Sequence, residues 1–251
     1  MKENIRFENR LGHSLAGILH TPDDPKIIGC VLFAHCFTCT KNIKSAGLIA
    51  QTLSDNGFLV LRFDFTGLGA SSGEFVKTNF SSNVDDLIDA ADFLSREHQA
   101  PDLLVGHSLG GTAVMAAAAE IPSAKAVTSI GSPAYPEHIL HLLENSLDNI
   151  AQNDEASVKI GPQKLSFNQG FVDDVRSYKT DYKNLDKALM VLHSPIDKTV
   201  SVRQAEIIFS QAMHPKSFVS LDDADHLLTQ ASDAIYAANV IAQWASRYIN
   251  K

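Results

Sequence analysis

The sequence predicts an α/β protein, a mostly parallel central sheet with helices on both faces, and two observations carry that reading. Dense apolar runs at residues 27–34 and in FLVLRFD, DLLVGH and KALMVLHS have the unbroken hydrophobicity of strands buried on both sides. Helical patterns alternate with them, which implies right-handed crossovers that return each strand parallel to the one before.

Taken in order, residues 5–9 and 14–20 alternate around LGHS and read as an N-terminal hairpin. The PDDP breaker precedes the first buried strand. Residues 45–56, closed by Gly57, read as a helix. So do residues 83–96, with Val84, Leu87, Ile88 and Ala91 at helical spacing. A further helix begins at Leu109 and another near Val200. Strands are expected at 126–130 and 217–221, and residues 233–250 read as a closing helix. From about 134 to 185 the rhythm breaks: HILHLLENSLDNIAQ is helix-like and VKIGPQKLSFN looks like a small hairpin, so this stretch reads as a cap inserted over the sheet edge.

The 251 residues are enough to bury one sizeable core, and a single domain over 1–251 is expected. A formal net charge of −8 argues against a nucleic-acid or anionic-membrane partner. The N-terminal MKENIRFENRLGHSLAG lacks the apolar core of a signal peptide, and no run approaches the roughly 20 apolar residues of a membrane span. A cytoplasmic location is therefore expected. Cys30, Cys36 and Cys39 are odd in number and too local for a disulfide framework, which fits a reducing compartment.

The chemistry concentrates in LLVGHSLGGTA. GHSLG matches G-x-S-x-G with a strand before it and a helix after it, the context that motif requires. In a strained turn the backbone two places before and two places after the serine come close together, so Gly106 and Gly110 avoid a clash. The turn lifts the Ser108 hydroxyl off the sheet and aims the Leu109 amide, at a helix N-terminus, toward the same space. A serine hydroxyl needs a base, itself oriented by an acid. Asp197 in HSPIDKTV and His226 in DDADHLL each follow a strand, giving the order Ser, Asp, His. Alone, Asp197 reads as a turn former or helix cap and His226 as a cap. Three strand ends supplying three complementary groups is the coincidence that favours catalysis. His107 adjoins the serine but faces away from its hydroxyl.

These residues resemble the α/β-hydrolase superfamily over nearly the whole chain, specifically its small serine esterases. FAHCFTCTKN resembles the H-G-F-T loop after the third strand, and DFTGLGASSG the D-x-x-G-x-G-x-S loop after the fourth. GHSLGG is similar to the nucleophile elbow, HSPIDKTV to the acid loop and ADHLL to the histidine loop. The pattern is most similar to hydrolases fused or adjacent to OsmC-type peroxide-defence domains, and more distantly to feruloyl and cinnamoyl esterases. The resemblance implies an α/β-hydrolase fold and a Ser108-His226-Asp197 triad. It also implies a second oxyanion amide at Phe37 beside that of Leu109, although Cys36 stands where the family often has glycine.

The expected function is therefore hydrolysis of carboxylic esters of small to medium acyl or aryl groups through an acyl-enzyme, on a small-molecule ester and without cofactor or metal. Oligomeric state, a homo-oligomer included, is left open. His35 and His107, with Tyr135, His138, Leu142, Leu143 and Phe167 from the insertion, are expected to form the substrate site. A thioesterase on the same triad and a catalytically silent binding protein are the alternatives. CFTC also raises a thiol-dependent peroxide chemistry through Cys36 and Cys39, but a structural zinc site lacks a second ligand pair. Gly67, Gly69 and Gly73 miss the dinucleotide spacing by one residue, and read instead as a flexible loop beside the site.

Overall fold

The apolar runs form the strands expected of them. The computed structural model describes residues 1–36, 39–160 and 163–249. The chain begins with the hairpin β1 (Lys2–Glu8) and β2 (Ser14–His20), then β3 (Gly29–Ala34), α1 (Lys44–Asp55) and β4 (Phe58–Phe63). It continues through α2 (Phe80–Glu97), β5 (Leu103–His107), α3 (Leu109–Ala117) and β6 (Ala126–Ile130). Between β6 and the next strand of the main sheet come a 3₁₀ run (Pro136–Ser146), α4 (Leu147–Asn153), the antiparallel pair β7 (Glu155–Ile160) and β8 (Gln163–Asn168), and α5 (Gln169–Ser177). The chain then returns to the sheet with β9 (Ala188–His193), α6 (Val202–Gln211), β10 (Lys216–Ser220) and α7 (Ala231–Ile249).

The main sheet has eight strands in the order β1-β2-β4-β3-β5-β6-β9-β10. β2 pairs antiparallel with both β1 and β4, and the remaining pairs are parallel. Side chains alternate across it. Leu32, Leu104 and Val127 pack under α2, α3 and α6, whereas Val31, Val105 and Met190 pack under α1 and α7. Helices therefore cover both faces, which is why β3, β4, β5, β6 and β9 are buried along their whole length.

The order of connections places the site. The chain leaves β3 by way of α1 to reach β4 on one side, then returns by way of α2 to β5 on the other, so the winding reverses at β3. In an open parallel sheet the crevice at such a reversal, outside the carboxyl ends of the strands, is where ligands bind. The loop after β3 and the turn after β5 both open into it.

Local chemistry sets the element ends. α2 starts at Phe80, three residues ahead of the helical pattern, because Asn79 accepts from the Ser82 amide at 2.8 Å while Ser82 Oγ accepts from the Asn79 amide at 2.9 Å. Among the described residues no helix is long and apolar enough to cross a membrane.

Candidate active site

β5 ends at His107 and α3 begins at Leu109, leaving Ser108 alone in the turn with φ 56° and ψ −131°. Positive φ is unfavourable for a residue with a side chain, so the turn has to be held by its surroundings. Close packing holds it: a Cβ on Gly106 would lie 2.3 Å from the Gly110 carbonyl oxygen, and one on Gly110 would lie 2.3 Å from that of His35. The two glycines thus let the elbow close on itself and let α3 seat against the loop after β3. The Leu109 amide stands at the N-terminus of α3, where N–H groups have no acceptor within the helix.

The three sequence-distant loops meet. His226 Nε2 lies 3.0 Å from Ser108 Oγ, and His226 Nδ1 lies 2.7 Å from Asp197 Oδ2. A carboxylate only accepts, so Nδ1 carries the proton and Nε2 offers its lone pair to the serine hydroxyl. Asp197 Oδ1 accepts from the amides of Thr199 at 2.8 Å and Val200 at 2.9 Å. Burial pushes the Asp197 carboxyl up, but the bonds from His226, Val200 and Thr199 outweigh it and hold the group below its usual range. It stands as an ionised acceptor for the His226 Nδ1–H. Gly131, at φ 56° after β6, leaves room where a Cβ would touch both Asp197 Oδ2 at 3.4 Å and His226 Nδ1 at 3.5 Å. No motif pointed to it.

The loop after β3 is tied down at its far end. Buried Lys41 donates from Nζ to Asp64 Oδ2 at 2.5 Å and from its amide to Asp64 Oδ1 at 2.5 Å. Asp64 Oδ2 also accepts from the Ala70 amide at 2.9 Å, so the glycine-rich segment expected to be flexible is fastened to the same carboxylate. Phe37, the residue expected to give a second oxyanion amide, lies outside the described residues. Cys36 and Cys39 form a disulfide with their Cα atoms 5.4 Å apart, within reach of such a bond, whereas Cys30 is free and buried. This corrects the expectation of cysteines in their reduced form; nothing in C-x-x-C spacing alone separates the two states.

A cavity of about 620 Å³ opens beside Ser108, with Leu109, His226, Cys36 and Cys39 in its wall. Of the residues expected to line it, His138 and Leu142 do. Ile139, Ile160, Thr199, Val200 and Leu227 line it without having been foreseen. Leu143 is fully buried in the core, and Phe167 is 1% exposed and packs edge-on against Phe75 and Phe171. The Tyr135 hydroxyl instead meets the side chain of Gln211. For Leu143 the reason is the 3₁₀ geometry of Pro136–Ser146, in which side chains at i and i+3 eclipse. Ile139 and Leu142 share the cavity face, His138 and His141 stand beside them, and Leu140 and Leu143 turn to the core. His35 and His107 do not line the cavity either, being buried behind it.

The fold, with the similarities that follow, is that of an esterase-type serine hydrolase of the α/β-hydrolase class. Residues 25–181 match the family described as serine aminopeptidase, S33, and the chain belongs to that family. It is 41% identical to the esterase domain of a Rhodothermus marinus protein, with 99% of each chain covered and a TM-score of 0.81. Est1E of Butyrivibrio proteoclasticus, solved with ferulic acid, shares the fold with a TM-score of 0.85 at 20% identity, covering 98% of this chain and 100% of that one. The mitochondrial palmitoyl-protein thioesterase ABHD10 of Rattus norvegicus is 26% identical over 215 residues, which is 81% of this chain and 68% of the relative.

Proposed function

We propose that the protein hydrolyses uncharged carboxylic esters with small to medium apolar acyl or aryl groups, by way of an acyl-enzyme on Ser108. The observation that carries this reading is the unbroken chain from Ser108 Oγ through the His226 ring to Asp197, at 3.0 and 2.7 Å, opening into an apolar cavity. In the first half-reaction Ser108 Oγ attacks the ester carbonyl while His226 Nε2 takes its proton. The Leu109 amide receives the negative oxygen of the tetrahedral intermediate, a donor worth on the order of 3 kcal/mol in comparable sites. The intermediate collapses, the carbon–oxygen bond to the alcohol breaks, and His226 returns the proton to the leaving alkoxide. Water, deprotonated by His226, then attacks the acyl carbonyl, and Ser108 leaves with that proton. Asp197 keeps the ring in the required tautomer and stabilises its cationic form.

The cavity supports the choice of substrate. Among the described residues its wall holds no Lys, Arg, Asp or Glu, and its isoleucine and leucine side chains favour hydrocarbon. A thioester reading is favoured by the name of the rat relative, and the same triad chemistry applies to a sulfur leaving group.

The test is a panel of p-nitrophenyl esters and matched S-acyl thioesters, assayed with the wild-type protein and Ser108→Ala. The expected result is turnover of neutral acyl esters that disappears in a folded Ser108→Ala protein. Ester turnover surviving at near the wild-type rate in that variant would refute the assignment, and preference for the thioester series would move it to the second reading.

A further inference from the structure

We propose that His107 is a positioning residue, which holds the catalytic imidazole in place by gripping the main-chain carbonyl of His226. The proposal rests on the reading of His226 as the base. His107 ends β5, and its ring is buried under the histidine loop with Nε2 2.6 Å from the His226 carbonyl oxygen. A carbonyl only accepts, so Nε2 carries the hydrogen. The two rings lie 5.2 Å apart between centroids, tilted by 38°.

The bond matters because of what else anchors the loop. Between the end of β10 and the start of α7, residues 221–230 form turns, and Leu228 adopts φ 50°. The start of this stretch is tied to β9, with the Leu221 amide on the His193 carbonyl at 2.9 Å and Ser194 Oγ on the Asp222 carbonyl at 3.2 Å. Its far part closes on itself through Asp225, which accepts from the Thr229 amide at 2.9 Å. The His107 bond ties the middle of the loop to β5, the strand that carries Ser108. Nucleophile and base then share one rigid reference, and the base keeps its hydrogen-bonding distance to Ser108 as its charge changes through the cycle.

The protonation state fits this role. Burial, with the nearby His226, pushes His107 down to about 4, so it stays neutral and keeps donating wherever His226 works as a base. A cation there would repel the imidazolium that forms on His226. Buried histidines at or just past the ends of β3 and β9 also bond main-chain carbonyls. His35, after β3, has Nδ1 2.8 Å from the Cys36 carbonyl, and His193, ending β9, has Nε2 2.8 Å from the Val200 carbonyl in the acid loop. Burial lowers both as well.

Three variants test it: His107→Leu, which removes the donor; His107→Gln, whose amide nitrogen reaches about as far as imidazole Nε2; and His107→Asn, whose amide stops short. Each is assayed on a short p-nitrophenyl ester, with active sites counted by a fluorophosphonate so that rates refer to folded protein. His107→Leu is expected to lose about 10- to 100-fold in kcat with KM little changed, since a displaced reacting group costs on that scale. His107→Asn serves if the leucine variant does not fold, with the same loss expected, and His107→Gln is expected to recover most of the rate. Wild-type kcat per titrated site in His107→Leu would overturn the proposal, as would equal impairment of the leucine and glutamine variants. If His226→Ala itself keeps wild-type turnover, the reading of His226 as base falls, and the proposal with it.

Discussion

Ser108 carries a backbone conformation, φ 56°, that costs an isolated residue of its kind on the order of 1–3 kcal/mol, and its neighbours have to supply the compensation. Gly110 is the residue through which they do so. A methyl group at that position would stand 2.3 Å from the His35 carbonyl oxygen and 2.6 Å from that of Ala34, both backbone atoms that cannot swing aside. Gly110→Ala is therefore expected to lower stability by about 1–3 kcal/mol in denaturant titration, the usual cost of overpacking. By shifting the Leu109 amide against the β3 loop it should also lower kcat about 100-fold. Activity close to wild type in a variant of unchanged stability would show that the contact is not the constraint described. At this scale the sequence was most legible where motif and geometry coincide, as in Gly106, Ser108 and Gly110. It was silent on Gly131 and on the Lys41–Asp64 pair, because a small residue between acid and base, or an ion pair joining two loops, leaves no local pattern.

Among the elements, continuous apolar runs identified the buried strands, since a strand covered on both faces has no polar side to show. Helix starts were less legible: α2 begins at Asn79's cap, and a capping box of Asn and Ser is an easily missed signal. The insertion was legible as an interruption but not in its facing. In the 3₁₀ run Leu142 stacks directly on Ile139, while Leu143, one residue on, is turned by about a third of a turn and packs into the core. The hairpin behaves similarly: Phe167 pairs in register with Ala156 and turns inward, while Ile160, at the turn end, reaches the cavity. Side-chain direction within irregular elements depends on packing that no single segment encodes.

Over the whole molecule, the reversal of winding at β3 brings loops separated by more than a hundred residues to one crevice, as the contact between His226 and Ser108 shows. Buried histidines are the fold's exposure to acid. His20, which accepts from Arg62 Nε at 3.1 Å, is pushed down to about 4 by burial and by Arg62, and His107 is pushed to about 4 by burial and His226. Both bind a proton more readily when unfolded, so they favour the native state above about pH 6.5, and that contribution is lost as pH falls toward 4. The expected outcome is a melting temperature that drops steadily between pH 6.5 and 4, and that drops less in His20→Gln. A flat profile over that window would contradict the burial of neutral histidines. An acyl group carried on Ser108 is caught by quenching the reaction with a p-nitrophenyl ester in acid and mapping the adduct by peptide mass spectrometry. The acyl mass is expected on the peptide containing Ser108, growing in before steady state; the same mass on a cysteine or on any other serine would overturn the assignment.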